Sequence, residues 1–248
     1  MKTIANKKSR SPLVTILTAI ALGAIVFFLA RSTSRPLVGI IDNQSSGTFY
    51  LQNVIFKFFV LIYSVLTILI VNKWSLKNYG FKQAENISYG KFILSATGIT
   101  IASLIVGAII FMGVLNHMFP TGNSKILPVP DSILQMILTI WVWSTICEEV
   151  LVRGLVQGYM QHLSAIKISR LSLPVIVSGL FFGAMHLSLI NAGMGAWFVA
   201  FTVFNTTVIG LVAAYYREKS GSLVPAILVH FIANVVGAIP LIIKTIMS

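Results

Sequence analysis

Seven apolar runs recur along the chain, at roughly 13–30, 49–71, 92–115, 131–160, 172–190, 195–216 and 222–243. Apolar and polar residues do not alternate within them, so each run predicts a helix rather than a barrel strand. Each is long enough to cross, or nearly cross, a hydrocarbon core about 30 Å thick. Turn formers and most of the charge fall between the runs. The weakest division is NAGMGAW at 191–197. The pattern predicts an all-α, polytopic membrane helix bundle of about seven to eight transmembrane helices. The first run follows Lys2, Lys7, Lys8 and Arg10 but is longer than a signal core. No small-residue cleavage site precedes Arg31 and Arg35, so an uncleaved span is expected.

Composition agrees: 56% of residues are hydrophobic, 10% are charged, and mean hydropathy is +0.91. These values exclude an ordinary soluble domain. A single cysteine, Cys147, excludes a disulfide framework and a Cys-rich zinc site. The net charge of +12 does not point to nucleic acid, because the cations gather between apolar runs and form no basic face rich in aromatics. The expected partner is the lipid bilayer. With the N-terminus in the cytoplasm, the inside segments hold Lys2, Lys7, Lys8, Arg10, Lys73, Lys77, Lys82, Lys91, Lys167, Arg170, Arg217 and Lys219. The outside segments hold Arg31, Arg35, Lys125 and Lys244. Twelve against four favours an N-in, C-out orientation.

Two cations lie inside spans, Lys57 and Arg153. Lys57, about two turns into its helix, is expected to snorkel to the interface. Among the acids, Asp42, Glu85, Asp131 and Glu218 sit in loops or at span ends; only Glu148 and Glu149 lie deep. At 1.5 Å per residue, Glu148 lies roughly 20 Å from the cytoplasmic end of its span, and His186 lies at about that depth on the next. His230 and Asn234 lie roughly 12 and 18 Å above Ser222 on the last span. Four polar residues from three helices therefore share one slab of membrane, where ionisable groups are functional candidates.

Spacing refines this set. Glu149 and Arg153, four residues apart, share a face and can pair. Glu148 is turned about 100° from Glu149. His230 and Asn234 repeat the i,i+4 spacing, as do Phe182 and His186, where a ring can rest against the imidazole. His117 and His162 lie at span ends, where a half-polar ring is comfortable. Gly154/Gly158 and Gly179/Gly183 are expected to let helices approach closely.

A carboxylate beside a histidine can hold and deprotonate water. A second histidine with an amide can donate to an oxyanion as that water attacks a carbonyl. The set suits peptide hydrolysis. No HExxH, nucleophile-elbow serine or GxxxxGK[ST] is present. Glu148, His186 and His230 are also chemically suited to zinc, so a metal-dependent version stays open at this level.

EEVLVRG at 148–154, FGAMH at 182–186 and HFIAN at 230–234 resemble the motifs EExxxR, FxxxH and HxxxN. In this order these mark the CAAX-protease and bacteriocin-processing (CPBP, or Abi) intramembrane proteases, and SGSLVPAILVH at 220–230 resembles the family's approach to the last motif. The resemblance covers about 131–248, leaving 1–130 as three N-terminal transmembrane spans. By motif position it implies Glu148 as catalytic base, holding water with His186. His230 and Asn234 become the oxyanion-stabilising pair, and Glu149 with Arg153 the supporting pair. Val152 departs from the phenylalanine frequent in the family. The resemblance implies an endopeptidase cutting a membrane-associated peptide or protein by a metal-free glutamate mechanism, with zinc as the alternative. Eukaryotic members trim prenylated CAAX proteins; bacterial relatives are linked to leader or pheromone peptide maturation and bacteriocin self-immunity. The short, Lys- and Ile-rich chain looks bacterial, so peptide processing at a bacterial cell membrane is expected. The alternative is a catalytically idle scaffold or self-immunity protein of the same fold.

Overall fold

Helices occupy every predicted run. A computed structural model describes residues 11–41, 48–120 and 132–247; Lys2, Lys7, Lys8, Arg10, Asp42, Lys125 and Asp131 lie outside the described residues. The helices are α1 (Pro12–Ile41), α2 (Thr48–Val71), α3 (Tyr89–Met118), α4 (Ile133–Tyr159), α5 (Leu173–Met185, tightening to a 3-10 helix over His186–Ala192), α6 (Ala196–Ser220) and α7 (Val224–Met247). The first six are long and apolar enough to cross a membrane; the apolar stretch Val224–Ile239 of α7 is shorter. A two-residue hairpin, Lys167–Ile168 against Leu171–Ser172, is the only sheet among the described residues.

Two boundaries differ from expectation. α1 continues past Arg31 and Arg35 and contains Pro36, so those arginines belong to a helix and not to an outside loop. Thirty residues span about 45 Å, more than the hydrocarbon core. The last turns can therefore carry cations whose stems reach the interface. Arg217 is likewise helical and buried near the end of α6, donating to Asn78 O at 3.0 Å. The break at NAGMGAW is real: Gly193 takes φ +83°, a left-handed conformation that suits glycine, and α6 begins three residues later. Gly221, at φ +66°, ends α6 in the same way.

α4 is the central element, touching α1, α2, α5 and α7. One apolar cluster joins Val26 and Ala30 of α1, Val60 and Ile68 of α2, Leu151, Val152 and Leu155 of α4 and Phe182 of α5. Val152, the departure from the family pattern, is fully buried there, which makes it a packing change. A second cluster joins Phe92 and Ala96 of α3, Ile209 and Ala213 of α6, and Ala226 and Val229 of α7. Large apolar side chains such as Leu17, Phe28, Ile70, Leu94 and Ile105 remain exposed on the outer helix faces, as lipid contact requires.

The Gly179/Gly183 pair acts as expected, whereas Gly154 has only ordinary contacts, the nearest at 3.7 Å to Ile68. A Cβ on Gly210 would lie 3.0 Å from Gly179 O, and one on Gly179 would lie 3.0 Å from Leu211 N. The α5 and α6 backbones thus touch. Gly158 receives the Tyr79 ring. Gly179→Leu should force α5 and α6 apart, a cost of about 1–3 kcal/mol, read as a lower thermal unfolding midpoint in detergent. His117 and His162 are exposed near helix ends, in keeping with their bland reading.

Candidate active site

α4 alternates helix types around the glutamates. Wide π turns cover Ile137–Ser144 and Val150–Val156, with one α-helical stretch, Thr145–Glu149, between them. Such π insertions re-aim side chains within a helix and recur at functional sites. Here they flank Glu148 and Glu149. Both are buried, as are Lys57, Arg153 and His230; Glu149 and Arg153 expose nothing, and the other three 7% each.

Glu149 Oε1 accepts from Arg153 Nη1 at 2.8 Å and from His230 Nδ1 at 2.9 Å. Arg153 Nη2 donates to Gly210 O at 2.9 Å, which the close α5–α6 packing brings within reach. Its guanidinium lies 4.5 Å from the Phe182 ring centre. Arg153 therefore ties α4 to α5 and α6, and Glu149 ties α4 to α7.

Glu148 faces a different set. Its Oε1 is ion-paired with Lys57 Nζ from α2 and accepts from Ser144 Oγ at 3.4 Å. Its Oε2 lies 3.6 Å from His230 Nε2. Lys57 therefore does not snorkel: its ammonium pairs with the deep carboxylate instead of reaching a distant interface. The depth arithmetic applied to Glu148 would have found it, since Lys57 lies about 14 Å into α2, near mid-membrane. Lys57 and Arg153 offset Glu148 and Glu149, so the buried cluster is neutral before any histidine is protonated. Neutrality is the condition that makes four charges tolerable in an apolar medium.

His186 heads the 3-10 segment of α5. Its Nδ1 donates to Phe182 O at 2.9 Å, and its ring stacks edge-on against Phe182 at 5.2 Å. This fixes Nδ1–H and leaves Nε2 as an acceptor. His230 also packs edge-on against the Phe182 ring, at 5.1 Å. Asn234 donates Nδ2 to Thr145 Oγ1 at 2.9 Å, keeping a second N–H. Glu148, Glu149, Arg153 and His230 are thus linked side chain to side chain, Asn234 is tied to α4 through Thr145, and Phe182 seats both imidazoles. Thr145, Ser144 and Lys57 are the participants that sequence reasoning missed.

Residues 130–236 match the family model for Rce1-like proteins, described as type II CAAX prenyl endopeptidase Rce1-like. This stretch, less than half of the chain, is similar to the CAAX-protease family. All three motifs lie within it, whereas α1, α2 and α3 lie outside. No curated protein and no solved structure gives a match to the chain. The match supports an integral membrane protease of the CAAX-type endopeptidase class, acting on membrane-associated substrates. The zinc alternative fits poorly. Among the described residues no three His, Cys, Asp or Glu side chains group as metal ligands, and the Lys57 ammonium already neutralises Glu148.

Proposed function

We propose that the protein is an intramembrane endopeptidase that uses water activated by Glu148 and held with His186. The observation that carries this reading is the division of labour between the adjacent glutamates. Glu149 spends Oε1 on holding Arg153 and His230, while Glu148 keeps one oxygen turned toward His230 and away from its cation. Water bound at Oε2 gives its proton to Glu148 as its oxygen bonds to the scissile carbonyl carbon. The oxyanion receives the second Asn234 N–H and, when His230 is doubly protonated, His230 Nε2–H. The C–N bond then breaks, the departing amine takes the proton from Glu148, and a carboxylic acid and an amine leave. Glu149 holds His230 by Nδ1 and so turns Nε2 toward the reacting atoms.

Lys57 acts here as a positioning residue, fixing Glu148 by its other oxygen. Lys57→Met should lower kcat roughly tenfold to hundredfold with little change in KM. Lys57→Arg, which keeps the ion pair, should retain most activity; steady-state cleavage kinetics decide this.

Residues 131–248 form the catalytic core in this reading; of the three N-terminal helices, α2 delivers Lys57 and packs with α1 against α4. The proposed setting is a bacterial cell membrane, N-terminus cytoplasmic, with leader or pheromone peptides favoured over prenylated CAAX proteins. The test is mass spectrometry of a library of membrane-anchored peptides incubated with the purified protein. Paired fragments from one cut position support the peptidase. Intact peptides throughout identify the idle scaffold or self-immunity protein.

A further inference from the structure

Behind His230 and Asn234 lies a cavity of ≈ 100 Å³ between α3, α6 and α7. Its wall includes Phe182, and its polar lining beyond the motif residues comes from Thr100, Ser103, Asn205 and Thr206. The hydroxyl donors, and one of the two Asn205 amide N–H groups, are already engaged within their own helices. Thr100 Oγ1 donates to Ala96 O at 2.8 Å, Ser103 Oγ to Thr100 O at 3.0 Å and Thr206 Oγ1 to Thr202 O at 2.7 Å. Asn205 Nδ2 donates to Phe201 O at 2.9 Å. What remains, besides one Asn205 N–H, is a set of oxygen acceptors, and Asn205 Oδ1 is buried with no hydrogen-bond partner among the described residues. A buried acceptor without a donor is costly, and the cost is removed by whatever brings one.

The volume admits a few waters or one short side chain. An acceptor-lined, partly apolar cavity of that size beside an oxyanion-stabilising pair matches one class of occupant. We infer that it is a substrate subsite, taking a short hydroxyl-bearing side chain of the peptide next to the bond that is cut, with Asn205 as the residue that selects it. Serine or threonine would donate its hydroxyl to Asn205 Oδ1 and place its aliphatic carbons against Phe182, Ile209 and Ala233. Valine matches threonine in shape but leaves Oδ1 unpaired, and leucine is too large. α3, which lies outside the family-matched stretch, thereby shapes specificity through Thr100 and Ser103. The inference rests on the peptidase reading, because the side chain enters only with a peptide held at the site.

The experiment measures kcat/KM of the full-length protein on membrane-anchored peptides carrying Thr, Val, Ser, Ala or Leu at each position flanking the cut. At one flanking position, Thr should exceed Val by about tenfold or more, and Ser should exceed Ala in the same sense. In Asn205→Leu the Thr/Val ratio should fall below about two at that position. Equal cleavage of Thr and Val peptides by wild type overturns the subsite, as does an undiminished ratio in Asn205→Leu. Should Asn205→Leu not fold, the wild-type ratio and its reduction in Thr206→Val decide the matter alone. Loss of the peptidase reading looks different: no peptide is cut by wild type at all.

Discussion

Glu148→Gln should lower kcat by about 10²–10⁴-fold while leaving KM nearly unchanged, the range for a group that moves a proton in the transition state. The substitution preserves size and leaves an amide oxygen for Lys57 Nζ and Ser144 Oγ to approach, so the surrounding contacts persist. What it removes is the carboxylate oxygen facing His230 Nε2, where the proton of the attacking water must go. Circular dichroism and elution in detergent should match wild type. Ser144→Ala removes only a 3.4 Å contact to the other oxygen and should cost far less.

Arg153→Met should destabilise the fold by about 3–5 kcal/mol, because it strips a fully buried carboxylate of its cation. It also removes the side-chain donor to Gly210 O, and with it the tie between α4 and α6. The informative comparison is the double variant Glu149→Leu/Arg153→Met. Removing both charges should restore much of the thermal midpoint, as apolar replacement of a buried ion pair often does. Activity should stay lost, because His230 Nδ1 then has no partner to aim its ring. Recovery of cleavage along with stability would mean that the pair sets helix register and nothing more.

The depth and spacing of charged residues made much of this site legible. Glu149 and Arg153 pair at the i,i+4 interval, and Phe182 meets the His186 ring at the same interval on α5. Periodicity alone does not announce the contacts that cross between distant elements. Lys57 reads as interfacial because a lone lysine in a span ordinarily snorkels, and its partner sits 91 residues away. The Gly210 carbonyl and Thr145 hydroxyl are invisible for a related reason: a backbone acceptor and a mid-helix threonine carry no signal until tertiary packing selects them. The full length of α1 is hidden because hydropathy stops at Arg31, whereas the helix does not. The π turns around the glutamates left no mark in composition either.

The most direct measurement is hydrolysis of one cleaved peptide in H₂¹⁸O, comparing wild type with Glu148→Gln by mass spectrometry. Wild type should yield a new carboxyl terminus carrying ¹⁸O at once, and Glu148→Gln should yield almost none of that product in the same time. Equal product from the two proteins would contradict Glu148 as the base that activates the water.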